Sequence, residues 1–157
     1  LSFATMLVRT QDDVAFCVPD AVVPHLGTLR DMEECVRPRA AGAAEVPLPG
    51  VTADCLAAVV QFYTSVAELR VHDVPAPRLD AFKTSFFREL DRRRVHAVMN
   101  AADYLHAEEL LDDMCGYLAD LIRMSAPEQI RELLGLPLDM TADDAARAAQ
   151  QLEWAIP

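Results

Sequence analysis

The chain has 157 residues, 52% of them hydrophobic and 25% charged, and its 25 acidic and 14 basic side chains leave a formal net charge of −11. That length suits one domain able to bury its own core, and with 5 glycines and 10 prolines the composition excludes a disordered or collagen-like chain. The negative balance repels the phosphate backbone whose neutralisation drives nucleic-acid binding, and no run approaches the roughly 18 apolar residues of a membrane span. Neither nucleic acid nor a membrane is therefore expected as a partner. Such a charge keeps a protein soluble, and it also steers association toward basic protein surfaces.

Leu1 to Thr5 are read as preceding an initiator at Met6 and carry no argument; no basic region followed by an apolar run opens the chain. From Ala4 to Val18 the alternation of Thr5, Leu7 and Arg9 with Met6, Val8 and Thr10, the polar turn Gln11-Asp12-Asp13 and the alternation of Val14, Phe16 and Val18 predict a hairpin. Pro19-Asp20 opens a short helical segment closed by Gly27, and Thr28 is expected to cap a helix from Leu29 to Val36. A loop from Arg37 to Ala44 leads to Glu45-Val-Pro-Leu-Pro-Gly50, whose prolines confine it to a sheet edge. Thr52 caps a helix with Leu56, Val59, Val60 and Tyr63 on one face. Ala67 to Arg78, with Pro75 and Pro77, is the weakest region for regular structure and is expected to be a variable, mobile loop or linker. Helical spacing resumes at Leu79, Phe82 and Phe86. Two further stripes follow: Val95, Val98, Met99, Ala102 and Leu105, then Leu111, Met114, Cys115, Leu118 and Ile122. Ser125 and Glu128 are expected to cap a helix stopped by Gly135, and Thr141 with Asp144 to cap a last one reaching toward Trp154.

The search for chemistry returns little. The four cysteines, at 17, 35, 55 and 115, have no zinc-like spacing and read as reduced, mostly buried thiols, which points to a cytoplasmic and nuclear protein. No nucleophile motif, histidine pair or phosphate-cradling loop is present, so no catalysis, metal or cofactor is expected. Glu108, Glu109, Asp112 and Asp113 read as a solvated helix face. Arg78, Lys83, Arg88 and Arg92 to Arg94 form one basic concentration, a solvated helix boundary or an electrostatic contact with an acidic partner or with the chain's own acidic helices. The last third, with Ile130, Leu133, Leu134, Leu136, Leu138, Met140, Leu152, Trp154 and Ile156, holds more apolar side chains than a terminal helix needs for its own docking. Short helices are marginal in water, so this arm must pack on its own domain or on a partner.

Val46-Pro-Leu-Pro-Gly-Val51, Val59-Val-Gln-Phe62, Ala101-Ala-Asp-Tyr-Leu105, Leu110-Leu-Asp112 with Cys115, Ala126-Pro-Glu-Gln-Ile-Arg131, Asp139-Met-Thr141 and Glu153-Trp154 occur in order across separate elements. From Met6 to Trp154 the chain resembles the Skp family of F-box adaptors in cullin-RING ubiquitin ligases. The resemblance implies an α+β fold of BTB/POZ type, a small sheet covered by helices with two additional carboxy-terminal helices. It divides the chain into a cullin-facing body, 1–124, and an F-box-binding arm, 125–157. Its partners would be a cullin and F-box proteins, its own state monomer or weak dimer, and its role non-catalytic. By position, Asp103 and Tyr104 match the family's cullin-facing pair, and Leu110, Leu111, Cys115, Leu118, Ile130, Leu134, Leu136 and Trp154 match its F-box side. Asp103 stands where the family usually has Asn, Glu109 replaces a usual Gly and Leu134 a usual Phe. The added charge at Asp103 motivates a second reading, a BTB-fold scaffold or decoy that binds F-box proteins without a cullin.

Overall fold

The computed structural model describes residues 5–36, 45–137 and 141–152; the expected loop at 37–44, Leu138, Met140, Trp154 and Ile156 lie outside them. The predicted hairpin forms as β1 (Thr5–Thr10) and β2 (Ala15–Pro19), antiparallel, with Val8 opposite Phe16. Asp13 takes the left-handed conformation (φ 59°) in its turn. β3 (Val46–Leu48) lies parallel to β1 on the other side, giving the order β2-β1-β3. Pro47 therefore sits on an edge strand, where its missing N–H costs no ladder bond on the open side.

Among the described residues the helices follow in chain order: α1 (Gly27–Val36), α2 (Ala53–Val71), α3 (Ala76–Glu89), α4 (Arg92–Tyr104), α5 (Glu108–Met124), α6 (Pro127–Leu134) and α7 (Ala142–Leu152). The segment after Pro19 is a turn and a single 3-10 turn, Val23–His25, so Gly27 opens a helix where the sequence suggested that it closes one. The chain divides into two compact units, Leu1–Ala119 and Asp120–Pro157.

The core belongs to the first unit. α2 packs on α4, α3 and β2 and is apolar on both flanks: Leu56, Val59, Phe62, Tyr63 and Val66 are all buried. Phe62 sits at its centre, with the rings of Tyr63, Phe86 and Phe87 at centroid distances of 5.4, 5.5 and 5.9 Å. Val8, Val18 and Leu48 of the sheet, Val95, Val98 and Ala102 of α4 and its cap Leu105 belong to the same cluster. Thr52 caps α2 as expected, its hydroxyl accepting the Cys55 N–H.

The expected linker from Ala67 to Arg78 is a correction: α2 continues to Val71 and α3 begins at Ala76. Leu69 is half-buried, and Arg70 pairs with Glu109. The prolines that suggested a break occupy the cap and the first turn of α3, where a missing N–H leaves no intrahelical bond unmade.

In the second unit, Gly135 stops α6 in the left-handed conformation (φ 65°), as read from the sequence. Thr141 and Asp144 cap α7 reciprocally: the Asp144 N–H donates to Thr141 Oγ1 at 3.2 Å, and the Thr141 N–H to Asp144 Oδ2 at 3.3 Å. Ser125 does not cap α6. Its hydroxyl donates to the Leu121 carbonyl at 2.6 Å and closes α5, while Gln129, rather than Glu128, accepts the Ala126 N–H at the start of α6.

Candidate binding surfaces

The Asp103–Tyr104 pair lies at the end of α4, in a turn whose geometry is set by backbone bonds. Leu105 caps the helix, His106 takes φ 52°, its N–H donates to the Asp103 carbonyl at 3.0 Å, and the Ala107 N–H reaches the Ala102 carbonyl at 2.8 Å. This is a Schellman ending with histidine at the position that usually takes glycine.

α1 meets this turn head on. The Gly27 N–H donates to the His106 carbonyl at 3.4 Å and the Thr28 N–H to the Leu105 carbonyl at 3.2 Å, so the leftover donors of one helix satisfy leftover acceptors of the other. The Thr28 hydroxyl, expected to cap its own helix, instead donates to the Tyr104 carbonyl at 2.7 Å and lies 3.0 Å from His106 Nδ1. Asp103 points into solvent and Tyr104 is half-buried. Beneath the Tyr104 ring lies Gly50: a Cβ built there would stand 2.7 Å from ring atoms Cδ2 and Cε2.

The residues matched to the F-box side separate by burial. Leu110 is fully buried beside Met114, and its N–H donates to the Tyr63 hydroxyl at 3.3 Å. It serves the core and offers no surface, a correction that the ridge Leu105, Ala107, Leu110 and Met114 makes readable in the sequence: its members are 0–1% exposed. Leu111 and Leu118 are half-buried, while Cys115 is exposed, as is Cys17, against the expectation of mostly buried thiols; Cys55 is buried. Gly116 is exposed, and a Cβ there would meet no neighbour within 4 Å, while Leu111 and Leu118 pack partly against the core. Near its end, Ile122 is 36% and Met124 89% exposed.

In the second unit Ile130, Leu133 and Leu134 are half-buried, Leu136 is 55% exposed, and no described residue of α6 is buried. Trp154 lies outside the described residues.

The acidic face of α5 is not uniformly solvated. Glu108 and Asp112 face water, but Glu109 pairs with Arg70 and lies 3.6 Å from Lys83, and Lys83 Nζ stands 2.7 Å from Asp113 Oδ2. These pairs tie α2 and α3 to α5, the contact between the chain's own basic and acidic helices that the charge pattern allowed. Arg94 likewise reaches Asp54 at 2.7 Å. Among the described residues, no group of three His, Cys, Asp or Glu side chains is placed to hold a metal ion, and no helix is long and apolar enough to cross a membrane.

The described residues form an α+β protein, a small sheet with helices, in which the turn at the end of α4 is tethered to α1. The Skp1 family, dimerisation domain, matches residues 108–155. SKP1-like protein 14 of Arabidopsis thaliana is 28% identical over 99% of this chain and 99% of its own length. SKP1-like protein 20 of Oryza sativa subsp. japonica is 28% identical over 97% and 94%, and SKP1-like protein 13 of Arabidopsis thaliana 29% over 96% of each. A domain match on the carboxy-terminal third and alignments along nearly the whole chain support a Skp-family protein.

Proposed function

We propose that this chain is the adaptor subunit of an SCF-type cullin-RING ubiquitin ligase and performs no chemistry itself. Its body, 1–124, would face a cullin through Asp103 and Tyr104, and its arm, 125–157, would bind F-box proteins that carry the substrates. The observation that carries the reading is the state of the arm: α6 is eight residues long and carries Ile130, Leu133 and Leu134, each only half-buried. A helix that short needs a packing partner to persist in water. Leu111, Cys115 and Leu118 of α5, with Ile130, Leu134, Leu136 and Trp154, are the proposed F-box contacts; Leu110 serves the core.

A second reading, a scaffold or decoy that holds F-box proteins without a cullin, is favoured by one feature, the exposed carboxylate of Asp103 where the family usually has Asn. Calorimetry against an F-box protein and a cullin amino-terminal domain tests both. Leu134→Ala removes an apolar anchor and should cost about 2 kcal/mol of F-box binding while cullin affinity stays unchanged. Asp103→Asn should strengthen cullin binding by about 1 kcal/mol, the scale of one desolvated polar mismatch. F-box binding without cullin binding, in the wild type and in Asp103→Asn alike, selects the decoy; no F-box binding at all refutes both readings.

A further inference from the structure

We propose that Gly50 and Thr28 are positioning residues for the partner-facing Tyr104: the side chain missing at Gly50 leaves the seat of the aromatic ring, and Thr28 ties down the carbonyl of the same residue. The inference rests on the reading of Asp103 and Tyr104 as the cullin contact.

The geometry is specific to the ring. A Cβ at position 50 would lie 2.7 Å from both Cδ2 and Cε2 and 3.2 Å from Cγ of Tyr104, so any side chain there displaces the ring from the turn between β3 and α2. That turn is itself fixed, because the Val51 N–H reaches the Leu48 carbonyl and the Val51 carbonyl accepts the Gln11 N–H at 2.8 Å. The easier response is for the Tyr104 side chain to swing outward. Its backbone is less free to follow, held by the Thr28 hydroxyl at 2.7 Å and by the two N–H groups of α1 on the Leu105 and His106 carbonyls. Gly27 is packed almost as tightly, a Cβ there falling 3.0 Å from His106 Cβ, so the turn is gripped along its length. Preorganising one contact ring from two distant segments reduces what a partner must order on binding.

The experiment is a mutant cycle on the whole chain, read as affinity for a cullin amino-terminal domain and for an F-box protein. Gly50→Ala should weaken cullin binding about tenfold, leave F-box binding unchanged, and add nothing in a Tyr104→Ala background. Thr28→Val should weaken cullin binding several-fold and Thr28→Ser should restore it. The Tyr104 ring protons should shift in the NMR spectrum of Gly50→Ala without partner, a readout that stands even where Tyr104→Ala leaves too little binding to measure. Unmoved ring protons, unchanged cullin affinity in Gly50→Ala, or an equal loss with and without the Tyr104 ring overturns the positioning role and leaves the adaptor reading intact. A wild type that binds no cullin domain overturns the functional reading, and with it the partner-facing half of this one, whatever the ring protons do.

Discussion

Tyr63 shows how a single polar atom is held in this core. Its ring stacks on His25 at 4.9 Å, and its hydroxyl accepts the Leu110 N–H, one of the donors that the first turn of α5 cannot satisfy internally. Burial, reinforced by Glu109 and Asp113 against the opposing Leu110 bond, pushes its pKa up to about 12. A phenol with a folded pKa above its unfolded value near 10 stabilises the fold fully below about pH 10, and that contribution is lost as the pH rises toward 12. Tyr63→Phe should cost about 1–2 kcal/mol at pH 7 by stranding the Leu110 N–H, and should flatten the fall in stability between pH 10 and 12. Urea titrations of both proteins across that range check the prediction. Asp12 has the opposite sign: hydrogen bonds from the Thr10 hydroxyl at 2.6 Å and the Ala53 N–H at 2.9 Å hold its carboxyl below the usual range. Its contribution is present above the unfolded pKa and disappears as the pH falls through the lowered folded one. In Asp12→Asn the loss of stability below pH 4 should therefore be shallower, which thermal melts at pH 2.5 to 6 detect. The polar turn containing Asp12 was legible in the sequence. Its link to Ala53, 41 residues away, was not, because local spacing carries no information about which distant N–H a turn carboxylate will meet.

Helices and strands were legible where their signals are local. The hairpin, the edge strand marked by Pro47, the caps at Thr52 and at Thr141 with Asp144, and the stop at Gly135 all follow from side chains within a few residues of the feature they control. Other elements were misread where two local signals compete or where tertiary contacts decide. Pro75 and Pro77 serve equally as breakers and as first-turn residues, and what settles the matter is the docking of α3 by Phe86, Phe87 and Lys83. Ser125 had two neighbouring helices to serve and closes the earlier one. The site divides in the same way: the exposure of Cys115 followed from no pattern within α5, and the roles of Thr28 and Gly50 depend on contacts far along the chain. Lys83 gives a test at this scale. It is 15% exposed and stands between Glu109 and Asp113, whose Oδ2 is shielded from water and meets Lys83 as an ionic contact. Removing the cation leaves the shielded Asp113 carboxylate without its ionic partner, Glu109 keeping Arg70, so Lys83→Met should cost about 2 kcal/mol despite the apolar replacement. Lys83→Arg should keep most of the stability, and chemical denaturation of the two variants distinguishes a charge effect from lost packing.

Over the whole molecule the net charge of −11 is unevenly placed: Lys83, Arg70 and Arg94 are neutralised by the chain's own carboxylates, while Glu108, Asp112 and Asp103 stay open to solvent on α5 and at the end of α4. The internal pairs cancel locally, so the field felt at a distance is that of the remaining charges, on balance negative. Such a field accelerates encounter with a basic surface and is screened over about 8 Å at physiological salt. Near contact the same charge is less helpful, because Asp103 must lose water wherever a partner covers it. The two effects separate kinetically. On the proposed adaptor reading, association of the whole chain with a cullin amino-terminal domain should slow by about tenfold between 50 and 500 mM salt, with dissociation changing little. Asp103→Asn should make association slightly less salt-dependent, through the loss of one steering charge, yet slow dissociation, through the loss of a desolvation cost. Stopped-flow measurements at four salt concentrations resolve both rates. Association indifferent to salt would assign the acidic surface to solubility alone, and unchanged dissociation in Asp103→Asn would place that carboxylate outside the contact.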